Sequence, residues 1–350
     1  MRTLVIEKSA LKNNISVIKA AAGSACIYAN LSRDAYGAGA VDIALFLREE
    51  GISRFAVDDA DTAAALRKAG LVEEEILMLR SVSDKAELEK LMEHNVICTI
   101  GNLEAGVALN ALAAEGATVA EAQLQIDCGM GFGGFPAEEP EKLAAIYENL
   151  TNVAISGVYT QVHSGKNVEE QLASFQSVLE HLRGNGYETG IVHAAGSYAL
   201  LHNENARLEA VRAGSALLGR CRREKKDGLE LVGYGETAVA DIRWLPKGHT
   251  VGGQKLKILR RPTRVAVIPV GYHNGFGVIP PVYSPWDALR RFYRSRKRTV
   301  LLDGRKVKVL GAVGGVETLL DVTDVRCAEG DIVRFELDPQ FARGFKREYR

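Results

Sequence analysis

The feature that most constrains the fold is a regular alternation of short strand-like runs with amphipathic helical stretches between residues 25 and 218. Such alternation is typical of a parallel sheet built from repeated strand–helix units. The strand-like runs are ACIYANL (25–31), RFAV (54–57), EILML (75–79), VICTI (96–100), AQLQID (122–127), AISGVYTQ (154–161), GIVHA (190–194) and AVRAGSALLG (210–219). Open doubly wound sheets more often stop at about six strands, so these units predict a closed TIM-type (β/α)8 barrel.

Beyond residue 225 the pattern changes to successive strand-like runs with few helices between them. These runs are LELVG (229–233), TAVADIRWL (237–245), TRVAVIPVG (263–271), TVLLDG (299–304), KVKVLGAVG (306–314), LLDVTDV (319–325) and DIVRFEL (331–337). They indicate an antiparallel β domain, interrupted by a basic helical stretch at 284–298. We therefore expect a barrel domain over residues 8–225 and a C-terminal antiparallel β domain over residues 226–350, which a strand of residues 1–7 joins.

Charge and cysteine content exclude several classes of protein. Lys and Arg total 44, as do Asp and Glu, so the chain offers no net field for nucleic acid or an acidic membrane. The start MRTLVIEKSALKNN lacks the apolar run of a secretory signal, and no segment approaches the roughly 18 apolar residues of a membrane span, so we expect a cytoplasmic protein. The 5 cysteines form no CxxC pair, and His163 and His193 have no further ligand at metal-binding spacing, so no metal site is predicted.

Ligands of TIM-type barrels bind at the carboxyl ends of the strands, so the residues just after each strand carry the functional signal. The first strand is followed by LSRDAYGAG (31–39), in which Asp34 and Tyr36 precede two glycines. The fifth strand is followed by DCGMGFGGF (127–135), whose four glycines either admit close approach of a ligand to the backbone or only turn the chain.

The ends of the seventh and eighth strands predict an anion site. Gly196 and Ser197 follow the seventh strand at the start of a helix, and Gly214 and Ser215 follow the eighth. Strand ends in this position of a barrel bind phosphate groups through backbone N–H groups and hydroxyls. Ordinary turns with capping serines are the alternative interpretation.

These blocks, in this order, resemble the alanine racemase family of pyridoxal phosphate enzymes over nearly the whole chain. The first three similarities are IEKSALKNNI (6–15) to the family's opening segment, IYANLSRDAYGAG (27–39) to VVKANAYGHG, and IDCGMGFGGF (126–135) to IDTGMGRFGF. The next four are VHAAGSYALL (192–201) to HxANSAA, VRAGSALLGR (211–220) to VRPGIALYG, IPVGYHNGFG (268–277) to GYADG, and LGAVGGVETLLDVTD (310–324) to GRVCMDQxxVDVTD. The closing DPQFARGFKREYR (338–350) resembles the tail of a Firmicute-type branch of the family.

The resemblance implies a cofactor, a set of site residues and an assembly. Pyridoxal phosphate would be held in the barrel as a Schiff base on a lysine at the end of the first strand. Tyr36, Ser197 and the backbone of Gly214 and Ser215 would bind its phosphate, and Arg212 would face its pyridine nitrogen. By the same resemblance, Tyr272 would be the second base and would act in the partner subunit of a head-to-tail homodimer.

The chain departs from the family pattern at several of these positions. The lysine position holds Ser32, followed by Arg33. A hydroxyl cannot form an imine, and a guanidinium stays protonated and is not nucleophilic. Further departures replace an arginine by Phe132, a histidine by Gln161, an asparagine by Gly196, a methionine by Gly315, an aspartate by Val316 and a tyrosine by Phe341.

Three functional interpretations are compatible with this pattern. In the first, the protein is a non-catalytic or repurposed homologue that keeps the anion site and the dimer architecture, with pyridoxal phosphate bound non-covalently or not at all. In the second, it is an active pyridoxal phosphate-dependent alanine racemase in which Lys166 replaces the lost lysine. In the third, it is a different enzyme or binding protein with a new ligand between Tyr36, Phe132 and Arg212.

Two further hypotheses concern partners. Tyr272 either serves an intact racemase paralogue in a heterodimer or remains as a packing residue. The basic stretches RRFYRSRKR (290–298) and RCRREKK (220–226) raise a nucleic-acid role. A solvated helix face and a charged linker explain them more simply, so we expect no nucleic-acid partner.

Overall fold

The structure is a computed structural model that describes residues 1–162, 167–221, 227–252, 257–278, 286, 289 and 298–350. The chain divides into two compact units. Residues 9–231 form the first, here called the barrel unit, and residues 1–8 with 232–350 form the second, the sheet unit. Strand β1 (Arg2–Ile6) belongs to the sheet unit, and the division at 231/232 lies slightly beyond the expected boundary after residue 225.

A closed, all-parallel barrel of eight strands forms the barrel unit, which confirms the predicted fold class. Its strands are β2 (Cys26–Asn30), β3 (Arg54–Val57), β4 (Glu75–Ser81), β5 (Ile97–Ile100), β6 (Ala120–Asp127), β8 (Val153–Thr160), β9 (Ile191–Gly196) and β10 (Ala210–Ala213). The strands pair in this order and β10 closes the barrel on β2, while the two-residue β7 (Phe135–Pro136) pairs with the end of β6. The last strand is shorter than its sequence run suggests, because the N–H of Gly214 bonds to the hydroxyl of Ser197 instead of extending the ladder.

Helices connect these strands, and three of the helices begin at a side-chain cap. Their bounds are Lys8–Ala22, Ala40–Glu49, Ala60–Lys68, Lys85–Glu93, Leu103–Glu115, Glu141–Asn149, Val168–Gly184 and Ser197–His202. Asp59, Asp84 and Asn102 each accept a hydrogen bond from the backbone N–H three residues further along, which satisfies an otherwise unpaired donor of the first turn. A short 3-10 turn, Glu204–Ala206, precedes β10.

Side chains fill the interior of the barrel away from the carboxyl ends of its strands. Tyr28, Leu77 and Ile97 pack there with the small residues Ala56 and Ala210, and all five are buried. The alanines leave room for the Tyr28 ring in a densely packed interior. A ligand therefore has space only at the end of the barrel.

The sheet unit is a nine-stranded sheet that is antiparallel except where β1 pairs with the C-terminal strand. In spatial order its strands are β12 (Asp241–Leu245), β15 (Thr263–Ile268), β18 (Thr318–Asp321), β17 (Arg305–Val309), β16 (Thr299–Leu302), β19 (Ile332–Glu336), β11 (Tyr234–Ala238), β1 and β20 (Lys346–Tyr349). Two short strands, β13 (Thr250–Val251) and β14 (Lys257–Ile258), form a separate pair. The predicted antiparallel C-terminal domain is confirmed.

Two of the predicted strands of the β-rich half are wrong. The run TAVADIRWL is two strands, because the chain leaves its pairing with β19 at Val239 and joins β15 from Asp241 onward. The run LELVG (229–233) is not a strand. There the side chain of Asn14 accepts a hydrogen bond from the N–H of Glu230 and donates to its carbonyl, in place of a strand partner.

Several sequence features fall outside the described residues, namely His163, Lys166, 222–226 and 290–297. Among the helices that the structure describes, none has both the length and the apolar character that crossing a bilayer requires. The described residues also contain no group of three or more histidine, cysteine or carboxylate side chains placed to hold a metal ion.

Candidate functional site

A cavity of about 490 Å³ lies in the barrel unit at the carboxyl ends of the strands. It brings together the residues to which the resemblance assigns a role toward the cofactor, which are Tyr36, Ser197, Arg212, Gly214 and Ser215. Three neutral amides, Asn30, Gln125 and Gln161, also line it, as do the apolar side chains Leu79, Met130, Phe132 and Val162. The cavity thus has polar and apolar walls in the size range of small-molecule sites.

Ser32 lies just beyond the end of β2, where its backbone N–H and its hydroxyl both donate to Oδ1 of Asn30, at 2.9 and 2.6 Å. The next four residues, Arg33–Tyr36, all have positive φ angles, between 51° and 57°. Left-handed backbone costs an ordinary L-residue about 1–2 kcal/mol, and here four such residues stand in succession. The surrounding contacts must therefore hold this turn in place.

Carboxylate side chains that accept hydrogen bonds from backbone N–H groups help to hold the left-handed turn. Asp58 Oδ1 accepts from the N–H of Arg33 at 2.9 Å, and Asp34 Oδ1 accepts from the N–H of Ala40 at 2.7 Å. The Arg33 guanidinium lies 5.3 Å from the centre of the Tyr36 ring, within reach of a cation–π contact. The turn carries Tyr36 into the cavity, where burial raises the pKa of its hydroxyl, so the group remains a hydrogen-bond donor.

The ends of β9 and β10 form a cup around the hydroxyl of Ser197. Its oxygen accepts the N–H groups of Gly214 and Ala216 at 2.9 and 3.2 Å, which leaves its own proton available to a ligand. A side chain at position 214 would place Cβ 2.2 Å from the Tyr36 hydroxyl, so only glycine allows Tyr36 to approach this closely. The Tyr36 and Ser197 hydroxyls therefore lie close to one another on the wall of the cavity.

Cys221 lines the cavity beside the Ser215 hydroxyl, with which it interacts. Burial raises the pKa of its thiol to about 11, so the sulfur is uncharged at neutral pH and weakly nucleophilic.

Arg212, on β10, is a buried cation among neutral acceptors. Only 4% of the residue is exposed, and burial lowers the pKa of its guanidinium to about 10. Its two terminal nitrogens contact His193 Nδ1, the Thr160 carbonyl and Gln161 Oε1 at 2.5, 2.7 and 2.8 Å. Within the described part of the chain no carboxylate forms an ion pair with it, so its charge is available to an anion in the cavity.

The contact with Arg212 fixes the protonation of His193. A guanidinium only donates, so Nδ1 must accept and the proton of the neutral ring must sit on Nε2, which then donates to Gln123 Oε1 at 2.8 Å. Burial, and then the nearby Arg212 charge, lower the pKa of His193 well below its usual range. The ring stacks between Tyr28 and Tyr159, at 5.3 and 4.9 Å between ring centres. His193 therefore orients Arg212 and is not placed as a metal ligand.

Gln161 and Gly196 occupy one space. A Cβ atom at position 196 would stand 2.8 Å from Nε2 of Gln161, closer than side chains tolerate. With glycine at position 196 the Gln161 amide fits against the cavity wall, where its oxygen accepts from Arg212, and a side chain at 196 would push that amide aside. These two departures from the family pattern are thus a single, coupled change.

The glycine-rich loop after β6 is organised by Asp127, whose carboxylate accepts the N–H groups of Gly129, Met130 and Gly131 at 2.8–3.0 Å. The loop supplies two apolar side chains to the cavity, Met130 and Phe132. Phe132 is 81% exposed, an unusual position for a large aromatic side chain and one where a ligand can cover it.

The remaining residues that the resemblance implicates, Tyr272, Gly315, Val316 and Phe341, lie in the sheet unit. The side chain of Tyr272 is 47% exposed and its ring lies 4.3 Å from that of His273. Backbone bonds from Tyr272 and His273 to the carbonyls of Gly314 and Gly315 hold this turn.

Sequence reasoning missed several residues that the structure brings to the site. Gln123, Tyr159 and His193 support Arg212, and Cys221 lines the cavity. The sequence signal that could have found them is a pair of polar residues, His193 and Gln123, at inward positions of the barrel strands. Buried polar side chains need hydrogen-bond partners, so such a pair indicates a buried polar network. The motif comparison alone did not reveal which partner each would take.

Comparison with solved structures identifies the architecture of the chain. The chain resembles the alanine racemase of the D-cycloserine producer Streptomyces lavendulae with a TM-score of 0.86 at 20% identity, over 100% of this chain and 97% of that one. It also resembles the alanine racemase of Bartonella henselae with covalently bound pyridoxal phosphate, with a TM-score of 0.82 at 23% identity, over 100% and 99% of the two chains. These likenesses show the shared fold.

Sequence profiles then give the family. The alanine racemase N-terminal domain matches residues 6–221, and the alanine racemase C-terminal domain matches residues 232–336. The alanine racemase of Carboxydothermus hydrogenoformans is 30% identical over 318 residues, which cover 87% of this chain and 80% of the relative. The chain belongs to the alanine racemase family.

The shared space of Gln161 and Gly196 predicts a specific non-additivity. Gly196→Ala should lower the free energy of unfolding by about 1–3 kcal/mol, because the Gln161 amide must move and lose its bond to the charged Arg212, and Gln161→Ala should remove most of that cost in the double variant. Gly184→Ala is the control, since nothing lies within 4 Å of a Cβ there. Urea unfolding of the wild-type protein, the two single variants and the double variant measures the coupling free energy between the two positions. Additive effects would show that the two residues do not share space.

The close approach of Tyr36 to Gly214 predicts that Gly214→Ala blocks the cup. Phosphate affinity should fall at least about tenfold, because hydrogen bonds to a charged group contribute roughly 1.5–3 kcal/mol each. Titration calorimetry with inorganic phosphate measures the loss, with Gly184→Ala again as the control. Unchanged affinity in Gly214→Ala would place the anion elsewhere.

Proposed function

We propose that this protein is a repurposed member of the alanine racemase family that binds pyridoxal phosphate, or a ligand of similar chemistry, without a covalent bond, and does not racemise alanine by the family's lysine-dependent route. The observation that carries the proposal is Ser32 at the position of the family's cofactor lysine, where its hydroxyl is bonded to Asn30. A serine hydroxyl supplies neither an imine nor the base that the lysine provides.

The cavity fits part of the cofactor and not the rest. The hydroxyls of Tyr36 and Ser197 and the Ser215 backbone suit a phosphate beside Gly214, whose own N–H already bonds to Ser197 Oγ, and Arg212 offers a buried positive charge to the ring. No lysine occurs among the described residues that line the cavity, so the covalent attachment has no counterpart there. When bound in a racemase, pyridoxal phosphate stabilises negative charge on the substrate α-carbon. No step of that kind is assigned to this protein.

The other departures point in the same direction. Phe132 and Gln161 replace an arginine and a histidine of the family site, and Gly315 and Val316 replace residues that act across the family's dimer interface. Loss of one acid–base group alone lowers a rate by about 10²–10⁴, and here several groups are changed together. A new role for the same pocket explains this combination, because Tyr36, Phe132 and Arg212 all still line it.

The proposal includes a head-to-tail homodimer, as in the family pattern, and a cytoplasmic location. The half-exposed Tyr272 supports the dimer, since its side chain is available to a partner subunit. The idea that Tyr272 serves an intact paralogue in a heterodimer is a secondary form of the same proposal. In either assembly we expect a small anionic ligand, with no nucleic acid and no membrane as partners.

Borohydride trapping tests the loss of covalent binding. After incubation with pyridoxal phosphate and reduction, intact-mass analysis should show no stoichiometric adduct at a single lysine, because no amine is placed at the end of β2. The alanine racemase of Carboxydothermus hydrogenoformans, treated in parallel, is the positive control. A single trapped site at Lys166 would overturn the proposal and support a replacement lysine.

Restoring the lysine should not restore the enzyme. We expect Ser32→Lys to form the trapped adduct yet to racemise alanine at least about 100-fold more slowly than the intact relative, because Phe132 and Gln161 leave the substrate contacts unformed. Racemisation followed by a D-amino-acid-specific assay measures the rate. A rate close to that of the relative would show that Ser32 alone separates this protein from a racemase.

A further inference from the structure

The charges around the cavity are unusually one-sided. Arg212 contributes a buried positive charge, and the described lining residues include neither an acidic side chain nor a lysine. The amide side chains that line the cavity, those of Asn30, Gln125 and Gln161, are neutral. An anionic group gains from this field, whereas a cationic group gains nothing from it.

Nearby carboxylates do not alter this balance. Asp58 accepts the N–H of Arg33, Asp34 accepts the N–H of Ala40, and Asp127 accepts three N–H groups of the glycine-rich loop. Each is engaged in holding a loop, and none lines the cavity. A ligand ammonium in the cavity would therefore leave water and meet no carboxylate among the described lining residues.

We propose that the cavity selects phosphorylated ligands that carry no amino group, and that the neutral amide of Asn30 is one determinant of this selection. The inference rests on the proposed function, because it concerns the same pocket. A buried ammonium without a counter-ion is strongly disfavoured, and the Arg212 guanidinium adds like-charge repulsion. The uncharged part of the ligand would instead contact Met130 and the exposed ring of Phe132.

Asn30 offers a conservative way to change the charge. Its Oδ1 accepts both bonds from Ser32, and an aspartate oxygen in the same place would accept them equally well. Asn30→Asp therefore adds one negative charge to the cavity wall with little change in shape. The matched control is Asn149→Asp, which adds the same charge at an exposed helix end whose amide donates to Ala145.

The test compares two ligands that share a ring and a phosphate. Pyridoxine 5′-phosphate carries a hydroxymethyl group where pyridoxamine 5′-phosphate carries an aminomethyl group. We expect calorimetric titration of the wild-type protein at neutral pH to show the first binding at least about tenfold more tightly. Asn30→Asp should bring the two affinities closer together, because the added carboxylate strengthens binding of pyridoxamine 5′-phosphate. Asn149→Asp should leave the ratio of the two affinities unchanged.

The outcomes separate this inference from the proposed function. Equal affinities for the two ligands in the wild-type protein would overturn the amine exclusion while leaving non-covalent phosphate binding intact. An unchanged ratio in Asn30→Asp would remove Asn30 as a determinant. If neither ligand binds but inorganic phosphate does, the proposed class of ligand is wrong. If inorganic phosphate also fails to bind, the proposed function is wrong as well.

Discussion

A buried guanidinium surrounded by neutral acceptors is the constraint on which the rest of the site depends. Arg212 cannot be buried unless its N–H groups are satisfied, and three neutral oxygen and nitrogen atoms do this in place of a carboxylate. Its contact to His193 fixes the tautomer of that ring, and the ring in turn fixes the orientation of Gln123. The residual positive charge favours negative over positive charge in the cavity.

The left-handed turn after β2 is the second constraint, because four strained residues in succession must be held by their neighbours. The bonds from Asp58 and Asp34 and the packing of Tyr36 on Gly214 serve this purpose. The turn delivers Tyr36 to the cup and Ser32 to the end of the strand. A hydroxyl in the cup can serve a ligand phosphate, whereas the Ser32 hydroxyl is directed to Asn30. The turn thus brings the Tyr36 hydroxyl into the cavity, while Asn30 holds the Ser32 hydroxyl.

The sequence was sufficient to predict the barrel, because periodicity and motif order report on buried faces and strand ends, and the residues it singled out at strand ends, such as Ser197 and Arg212, line one cavity. It was not sufficient for the coupling of Gln161 to Gly196 or for the role of His193, since both depend on distances between strands remote in sequence. The division of TAVADIRWL into two strands was missed for a related reason. A continuous β-branched run gives no sign that its two halves pair with different neighbours.

A crystal structure of the wild-type protein grown with pyridoxal phosphate tests most directly whether the pocket binds the cofactor's phosphate without a covalent bond. We predict electron density for the phosphate between Tyr36, Ser197 and the Gly214–Ser215 backbone, with the aldehyde carbon joined to no side chain. Continuous density from that carbon to the side-chain nitrogen of Lys166 or another lysine would contradict this, as would a phosphate bound outside the cup.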